Sequence, residues 1–185
     1  GETLVDRAYS SIVAQHYFRE AMAKTTAVRH NLTLVCCANL TECLVGWYTK
    51  GGLDDTEEVK PIADLYKTQV RALAKHIPIV ESVQNRQPSS DMGIGTDEDI
   101  GLPDYLTMDL VLKGYLELGM APKLISKEAN IPIWEVVDVI LKYRRSEHMR
   151  NGAFTTKDTD YFNLRTQSYF NCVDINQPNP IKKQG

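Results

Sequence analysis

The chain has 185 residues, of which 43% are apolar and 24% charged, and its formal net charge is −3. This length predicts one domain, over residues 1–170. The prolines and low apolar content of residues 171–185 predict a loose tail. The charge disfavours nucleic-acid binding, which requires clustered Lys and Arg. The chain also has no run of about 20 apolar residues, the length that a membrane span needs. We therefore expect a cytoplasmic protein with no nucleic-acid or membrane partner.

The first predicted element is helical. Between Thr3 and His30, apolar residues recur at helical spacing without Gly or Pro, so we predict one long helix or two short ones. The residues that carry this pattern are Leu4, Ala8, Ile12, Ala14, Phe18, Ala21 and Ala27. The helix has no start signal of its own, which favours a chain that is part of a longer protein.

An apolar run from Leu32 to Ala38 follows, and it is too short for a helix. It predicts a buried parallel strand. In open parallel sheets, ligands bind just beyond the carboxyl ends of the strands, so Glu42 is the first candidate ligand residue. Asn39 or Thr41 is placed to cap a short helix over residues 43–48, and capping is the structural alternative for these polar residues.

A loop rich in glycine and acidic residues spans Lys50 to Glu58, and Pro61 follows it. Asp64 is placed to cap a helix from Leu65 to about His76, with Lys67 in the first turn. The residues expected to face inward are Leu65, Val70, Leu73 and Ala74. A lysine at this end opposes the helix dipole, a cost that is tolerable if an anion joins it.

The second half of the chain predicts a long loop and then helices. The loop, Gln87 to Gly101, is too long for a simple turn. A helix from Tyr105 to Leu116 should end near Gly119, a C-cap position, and two more helices are predicted at Pro122 to Ala129 and Val136 to Tyr143. The last two resemble a helix-turn-helix, but the second is apolar on most sides, where a DNA-reading helix needs polar residues.

Three groups of residues closely resemble the synthetase domain of NAD synthetases, in that family's order and at nearly its spacing. They are Asn39-Leu40-Thr41-Glu42 with Gly46-Trp47-Tyr48-Thr49-Lys50, Pro61 to Arg71, and Pro88-Ser89-Ser90-Asp91 with Thr96-Asp97-Glu98. The resemblance extends from about Tyr17 to Arg150. It implies the C-terminal part of a doubly wound, parallel-sheet α/β domain of the adenine-nucleotide α-hydrolase, Rossmann-like kind. The C-terminal half of that part is largely helical, and the family is usually homodimeric.

The resemblance also implies an activity. In that family, ATP activates the nicotinate carboxylate of deamido-NAD as an adenylate, pyrophosphate leaves, and ammonia displaces AMP. The implied substrates and cofactors are therefore deamido-NAD, ammonia, ATP and Mg²⁺. No glutaminase nucleophile with partners is visible among Cys36, Cys37 and Cys43, so free ammonia is the expected nitrogen donor.

The same resemblance implies roles for individual residues. Glu42 is a magnesium ligand, Lys67 and Ser89 contact ATP, and Lys50 contacts deamido-NAD, with Lys50 and Lys67 as the catalytic candidates. Mg²⁺ prefers carboxylate oxygens together with substrate phosphates, which fits Glu42 at the end of a strand. A solvated Glu, a solvated Lys and a capping Ser are the structural alternatives.

The chain also departs from the family pattern. Its phosphate-binding Ser-Gly-Gly-x-Asp-Ser run does not occur here. Four substrate positions carry other residues: the deamido-NAD-binding Arg falls on Tyr17, the ATP-contacting Thr on Cys37, a loop Asp on Glu58, and the Lys after His148 on Met149. Three explanations remain: part of a longer NAD synthetase, a relative that amidates another carboxylate, and a non-catalytic relative kept for binding or assembly.

Overall fold

The computed structural model describes residues 4–52, 55, 59–89, 95–150 and 176, with side chains from residue 10 onward. Contacts divide the chain into two units, one of Gly1–Cys43 with Trp47–Leu102 and one of Leu44–Gly46 with Pro103–Gly185. This grouping does not test the prediction of one domain over residues 1–170. All of the predicted tail except Asn176 lies outside the described residues. Within the described part of the chain, no helix combines the length and apolar character needed to cross a bilayer.

The first unit begins with α1, a single helix over Leu4–His30. Its buried face contains Glu20 and Ala27, whereas Phe18, one of the residues that carry the helical spacing, is 68% exposed. Residues seven apart lie on the same side of a helix, and Phe18 lies about 200° around the axis from Glu20. The spacing therefore predicted the helix but not which of its faces is buried. The helix ends where Asn31 adopts a left-handed φ of 51°.

The predicted strand, Leu32 to Ala38, is an extended segment in which Val35 forms a parallel bridge with Val59. The backbone N of Cys36 donates to the carbonyl oxygen of Val59 at 2.8 Å. Cys36 and Ala38 are buried while Val35 is 52% exposed, an alternation typical of a segment covered on one face. Burial on both faces was therefore wrong for Val35. Among the described residues no longer strand occurs, and the doubly wound sheet stays a prediction.

Three short helices follow in the chain: α2 (Leu40–Val45), α3 (Lys67–Ala74) and α4 (Glu81–Gln84). α2 begins three residues earlier than predicted, directly after Asn39. α3 begins two residues later than predicted, because residues 61–64 form a turn. Its N-cap position is occupied by Tyr66 rather than by Asp64. Leu73, which was expected to face inward, is 47% exposed.

The remaining helices carry most of the described apolar core. They are α5 (Tyr105–Leu112), continued by a π-helical turn (Lys113–Glu117), then α6 (Pro122–Ala129), α7 (Ile133–Arg145) and α8 (Glu147–Arg150). Their fully buried apolar residues include Met108, Val111, Leu112, Tyr115, Ile125, Val136, Val139 and Ile140. Residues 105–150, the part of this half that these helices cover, are largely helical, as predicted.

Local capping explains where these helices begin and end. The Asp104 carboxylate accepts hydrogen bonds from the N–H groups of Leu106 and Thr107 at 3.0 and 3.1 Å, which caps α5. Gly119, the predicted C-cap, has the left-handed φ of 62° that the cap requires. Asn130 ends α6 in the same way with φ 53°.

Within the second unit, Gly46 faces Ser146 at close range. A Cβ on Gly46 would lie 2.4 Å from the Ser146 Cβ, and the φ of Gly46 is +73°. Ser146 is itself buried and lies within hydrogen-bonding distance of the Leu44 carbonyl oxygen, at 2.8 Å. Arg150 fixes the same corner, because its guanidinium donates to the oxygens of Leu44, Ser146 and Tyr143. Only glycine fits at position 46.

We predict that Gly46→Ala lowers the free energy of unfolding more than Gly101→Ala does. Both glycines have a positive φ, but a Cβ at Gly101 would meet nothing within 4 Å. Both variants should lose about 1–2 kcal/mol to left-handed strain, and Gly46→Ala should lose about 1–3 kcal/mol more to overpacking. Urea unfolding measures the difference, and equal losses would contradict the proposed close contact.

Candidate functional site

The structure brings together two residues that the sequence singled out separately. The Lys67 Nζ lies 2.9 Å from the Glu42 Oε1, and the two side chains are 22% and 16% exposed. They are 25 positions apart in the chain. Because both groups are largely shielded from solvent, salt screens their attraction less than that of a surface pair. This pair is the centre of the candidate site.

A capping box holds the Glu42 carboxylate at the start of α2. Glu42 N donates to the Asn39 Oδ1 at 3.1 Å, and Asn39 N donates back to the Glu42 Oε2 at 3.0 Å. Asn39 is 1% exposed, so its amide is fixed by its surroundings. Of the two predicted caps, Asn39 is therefore the one that caps α2. One oxygen of Glu42 serves the cap and the other faces Lys67.

Thr41, in α2, holds the backbone of Lys67 at the start of α3. Its Oγ1 accepts a hydrogen bond from Lys67 N at 2.9 Å, and Thr41 is 0% exposed. Beside it, Leu40 N donates to the Leu65 carbonyl oxygen at 2.9 Å. Thr41 thus satisfies one of the orphan N–H groups at the start of α3, which explains why Asp64 is not needed there. Sequence reasoning missed this role, since no local spacing links residues 41 and 67.

Two residues predicted to bind deamido-NAD also meet within the first unit. The Tyr17 hydroxyl donates to the Lys50 carbonyl oxygen at 3.2 Å. The Lys50 ammonium lies 3.8 Å from a carboxylate oxygen of Asp55, and Gly51 N donates to the same carboxylate at 2.9 Å. Lys60 reaches the other oxygen of Asp55, also at 3.8 Å. Asp55 therefore contacts two lysines and the backbone of Gly51, and it was not among the predicted residues.

The cysteines near the candidate site differ in environment. Cys37, on the predicted ATP-contacting position, is exposed, whereas Cys36 is buried and Cys43 half-buried. Burial raises the pKa of the Cys43 thiol, and the neighbouring Cys36 and Glu42 raise it further. Because a thiol must lose its proton to act as a nucleophile, Cys43 is poorly suited to that role at neutral pH.

Two further predicted site residues are Ser89, which the structure describes, and Glu58, which it does not. Ser89 is exposed and forms an antiparallel bridge with Thr96. The Thr96 N–H and hydroxyl donate to the Asp99 carboxylate at 2.9 and 2.7 Å, which lowers the pKa of Asp99. Glu58 lies outside the described residues, as do Ser90 and Asp91 of the third group.

His148 and Met149 belong to the second unit, in α8. His148 is exposed, and its Nδ1 is 2.9 Å from the Arg145 carbonyl oxygen, so the ring donates from this nitrogen. Met149 is half-buried, and its sulfur would lie 2.9 Å from a Cβ on Gly46. The binding roles of both residues remain predictions.

Glu42 is the carboxylate that the described residues of this site offer as a ligand to a metal ion. No group of three or more His, Cys, Asp or Glu side chains within the described ranges could enclose a metal ion. Glu42 offers a single carboxylate, beside Lys67, which suits a cation that is shared with a bound phosphate better than an all-protein cage. The arrangement can bind an anion with Lys67 and a hard cation with Glu42.

Comparison with known proteins gives the same family for most of the chain. The family model described as NAD synthase matches residues 13–153. A curated relative from Coprothermobacter proteolyticus, named NH(3)-dependent NAD(+) synthetase, is 41% identical over 105 residues, which are 56% of this chain and 35% of that protein. A protein of the same name from Methanocaldococcus jannaschii is 37% identical over 125 residues, 67% of this chain and 48% of that protein. The chain therefore spans between a third and half of these relatives.

A solved structure supports the fold. The structure of NMN synthetase from Francisella tularensis matches with a TM-score of 0.62 and 21% identity, over 80% of this chain and 56% of that one. At this identity the match concerns the fold alone. It is consistent with the fold of the NAD synthetases, whereas the parallel sheet stays a prediction because the described residues show little strand.

We predict that Cys37 reacts with iodoacetamide faster than Cys43 between pH 7 and pH 9. Cys37 is exposed, so the reagent can reach it. The Cys43 thiol is half-buried and its pKa is raised, so at each pH a smaller fraction of it is thiolate than for a cysteine of ordinary pKa. Mass spectrometry of timed alkylation, with Cys37→Ser and Cys43→Ser as matched controls, measures both rates. Faster labelling of Cys43 would contradict this account of its environment.

Proposed function

Because the chain belongs to the NAD synthase family, we propose that it provides part of the active site of an ammonia-dependent NAD synthetase. The proposed reaction uses ATP to activate the nicotinate carboxylate of deamido-NAD as an adenylate, with pyrophosphate leaving. Ammonia then attacks the activated carbonyl carbon, AMP leaves, and the amide of NAD forms. The observation that carries this proposal is the Glu42–Lys67 pair, 2.9 Å apart, at the end of the extended segment.

In this proposal Lys67 binds the polyphosphate of ATP. Its ammonium provides the positive charge, and its backbone is held by Thr41, so little reorganisation accompanies ligand binding. Lys67 is also the first residue of α3, where the positive end of the helix dipole favours an anion. The dipole that disfavours a lysine at this position therefore favours the phosphate that the lysine would bind.

Glu42 is the proposed magnesium ligand. Each of its carboxylate oxygens accepts one hydrogen bond, from Asn39 N and from the Lys67 ammonium, and each keeps a further lone pair. Mg²⁺ is usually held by one or two carboxylates together with phosphate oxygens and water, so a single Glu beside a phosphate-binding Lys fits it. When bound, the ion would neutralise charge on the phosphates during adenylation.

A second candidate is the amidation of a different carboxylate. It is favoured by Tyr17, which stands where the family has a deamido-NAD-binding Arg. Its hydroxyl donates to the Lys50 carbonyl oxygen at 3.2 Å, and a tyrosine brings no positive charge for a dinucleotide phosphate. A substrate with fewer phosphates would need less charge at this position.

We predict that Glu42→Gln lowers the rate of ATP–pyrophosphate exchange by about two orders of magnitude or more, because the variant loses the anionic ligand. The Gln side chain keeps an oxygen that can accept from Asn39 N, so the α2 cap and the fold should survive. Exchange is measured in the intact protein with deamido-NAD present, and circular dichroism checks folding.

Glu128→Gln, an exposed change in α6, is the matched control and should leave the exchange rate unchanged. If Glu42→Gln and Glu128→Gln exchange pyrophosphate at the rate of the parent protein, Glu42 does not hold the metal. A rise in the Mg²⁺ concentration needed for half-maximal exchange, seen for Glu42→Gln alone, would support the proposed role.

We further predict that Tyr17→Arg lowers the KM for deamido-NAD by about tenfold, since one charge-assisted hydrogen bond to a phosphate is worth roughly 1.5–3 kcal/mol. Tyr17→Phe is the matched control, because it removes the hydroxyl without adding charge. Amide formation is measured with deamido-NAD and with nicotinate mononucleotide. If the parent protein prefers deamido-NAD and Tyr17→Arg changes neither KM, the second candidate is wrong.

A further inference from the structure

Asp55 contacts two lysines that flank it in the sequence. The Lys50 Nζ is 3.8 Å from the Asp55 Oδ2, and the Lys60 Nζ is 3.8 Å from the Asp55 Oδ1. The Asp55 side chain is 18% exposed, whereas those of Lys50 and Lys60 are 50% and 33% exposed. Because the carboxylate is the least exposed of the three groups, salt screens its attraction to the lysines less than the attraction within a fully exposed pair.

Backbone hydrogen bonds hold the Asp55 carboxylate in place. Gly51 N donates to the Asp55 Oδ2 at 2.9 Å, and Asp55 N donates to the Gly52 carbonyl oxygen at 2.9 Å. Gly52 N in turn donates to the Thr49 carbonyl oxygen at 2.8 Å. The turn that contains Lys50 therefore holds Asp55 through both its backbone and its side chain, so the position of the carboxylate does not depend on the two lysines.

The backbones of Lys50 and Lys60 are each attached to another element of the first unit. The Lys50 carbonyl oxygen accepts a hydrogen bond from the Tyr17 hydroxyl of α1 at 3.2 Å. Lys60 follows Val59, whose carbonyl oxygen accepts a hydrogen bond from Cys36 N of the extended segment at 2.8 Å. Asp55 therefore lies between two lysines whose backbones are anchored, and the part of Lys50 that remains to be oriented is its side chain.

We propose that Asp55 is a positioning residue that orients the Lys50 ammonium for contact with an anionic group of the substrate. The inference rests on the proposed function, in which Lys50 contacts deamido-NAD. At 3.8 Å the ammonium is beyond hydrogen-bonding distance of Asp55, so the attraction orients Lys50 without using one of its three N–H donors. A lysine side chain is flexible, and restricting it before the substrate binds lowers the entropic cost of binding.

The alternative is a purely structural role, in which Asp55 only closes its loop. The two roles depend on different properties of the side chain. Loop closure needs an acceptor for Gly51 N, which an asparagine oxygen also provides, whereas orientation of Lys50 needs the negative charge. Asp55→Asn therefore removes the orienting charge and keeps the closure, and Asp55→Ala removes both.

Steady-state amide formation by the intact protein tests the proposal. We expect Asp55→Asn to raise the KM for deamido-NAD about tenfold and to change kcat and the KM for ATP less than about twofold, because it weakens a contact that ground state and transition state share. Asp55→Glu keeps the charge and should recover part of the loss. Asp138→Asn, which removes a carboxylate 3.5 Å from the Lys142 Nζ in α7, is the matched control and should leave these constants unchanged.

A double-variant cycle separates positioning from an independent effect of Asp55. In a Lys50→Met background, Asp55→Asn should change the KM for deamido-NAD less than about twofold, since Asp55 acts through Lys50. An equal rise in KM in both backgrounds overturns the proposal, as does an unchanged KM in both. A lower KM for Asp55→Asn also overturns it, because Asp55 would then compete with the substrate for Lys50.

The mobility of the Lys50 side chain is a readout that needs no activity. NMR relaxation of isotope-labelled lysine should show a more mobile Lys50 ε-methylene in Asp55→Asn than in the parent protein, while the Gly51 amide stays protected from hydrogen exchange. If the parent makes no amide from deamido-NAD, the proposed function fails, yet release of the Lys50 side chain in Asp55→Asn would still support its orientation by Asp55. Equal Lys50 mobility in the two proteins overturns the inference.

Discussion

The hydrogen bond from Lys67 N to the Thr41 Oγ1 is the interaction on which the candidate site depends. It fixes the start of α3 against the segment that ends at Glu42, and the ion pair between Glu42 and Lys67 forms on top of it. Thr41 is fully buried, so loss of its hydroxyl would leave the Lys67 N–H unsatisfied, at a cost of about 1–3 kcal/mol. The backbone positions of Glu42 and Lys67 are therefore fixed by this hydrogen bond, and they do not depend on the attraction between the two charged side chains.

Local patterns predicted the helices well where capping or glycine chemistry is readable. The end near Gly119, the start of α6 at Pro122 and the long first helix were predicted from the residues themselves. The capping box of Asn39 and Glu42 has the familiar spacing of three, and Asn39 was a predicted cap. The buried face of α1 was not predicted, because the apolar spacing indicates a helix without identifying the side that is covered: of the residues in that pattern, Ala27 is buried and Phe18 is exposed.

Contacts between distant segments were beyond sequence reasoning. Glu42 and Lys67 were singled out by family resemblance, but their meeting depends on how residues 60–66 return the chain to the end of the extended segment. Thr41 became part of the site through a partner 26 positions away, and Asp55 through contacts with two lysines. The strand prediction met a similar limit, since pairing depends on neighbours, and Val59 is the one described parallel partner of the run that contains Val35.

The close approach of Gly46 and Ser146 couples two positions that are a hundred residues apart in the sequence, so it also limits how the two positions can change in evolution. A larger residue at 46 would require a smaller one at 146, yet removal of the Ser146 hydroxyl would take away an acceptor for Arg150 and a group within bonding distance of the Leu44 carbonyl. Each single step is therefore unfavourable, and a smaller residue at 146 would relieve the contact but not the strain of a side chain at the positive φ of residue 46. The corner therefore constrains the residues at positions 46, 146 and 150 together.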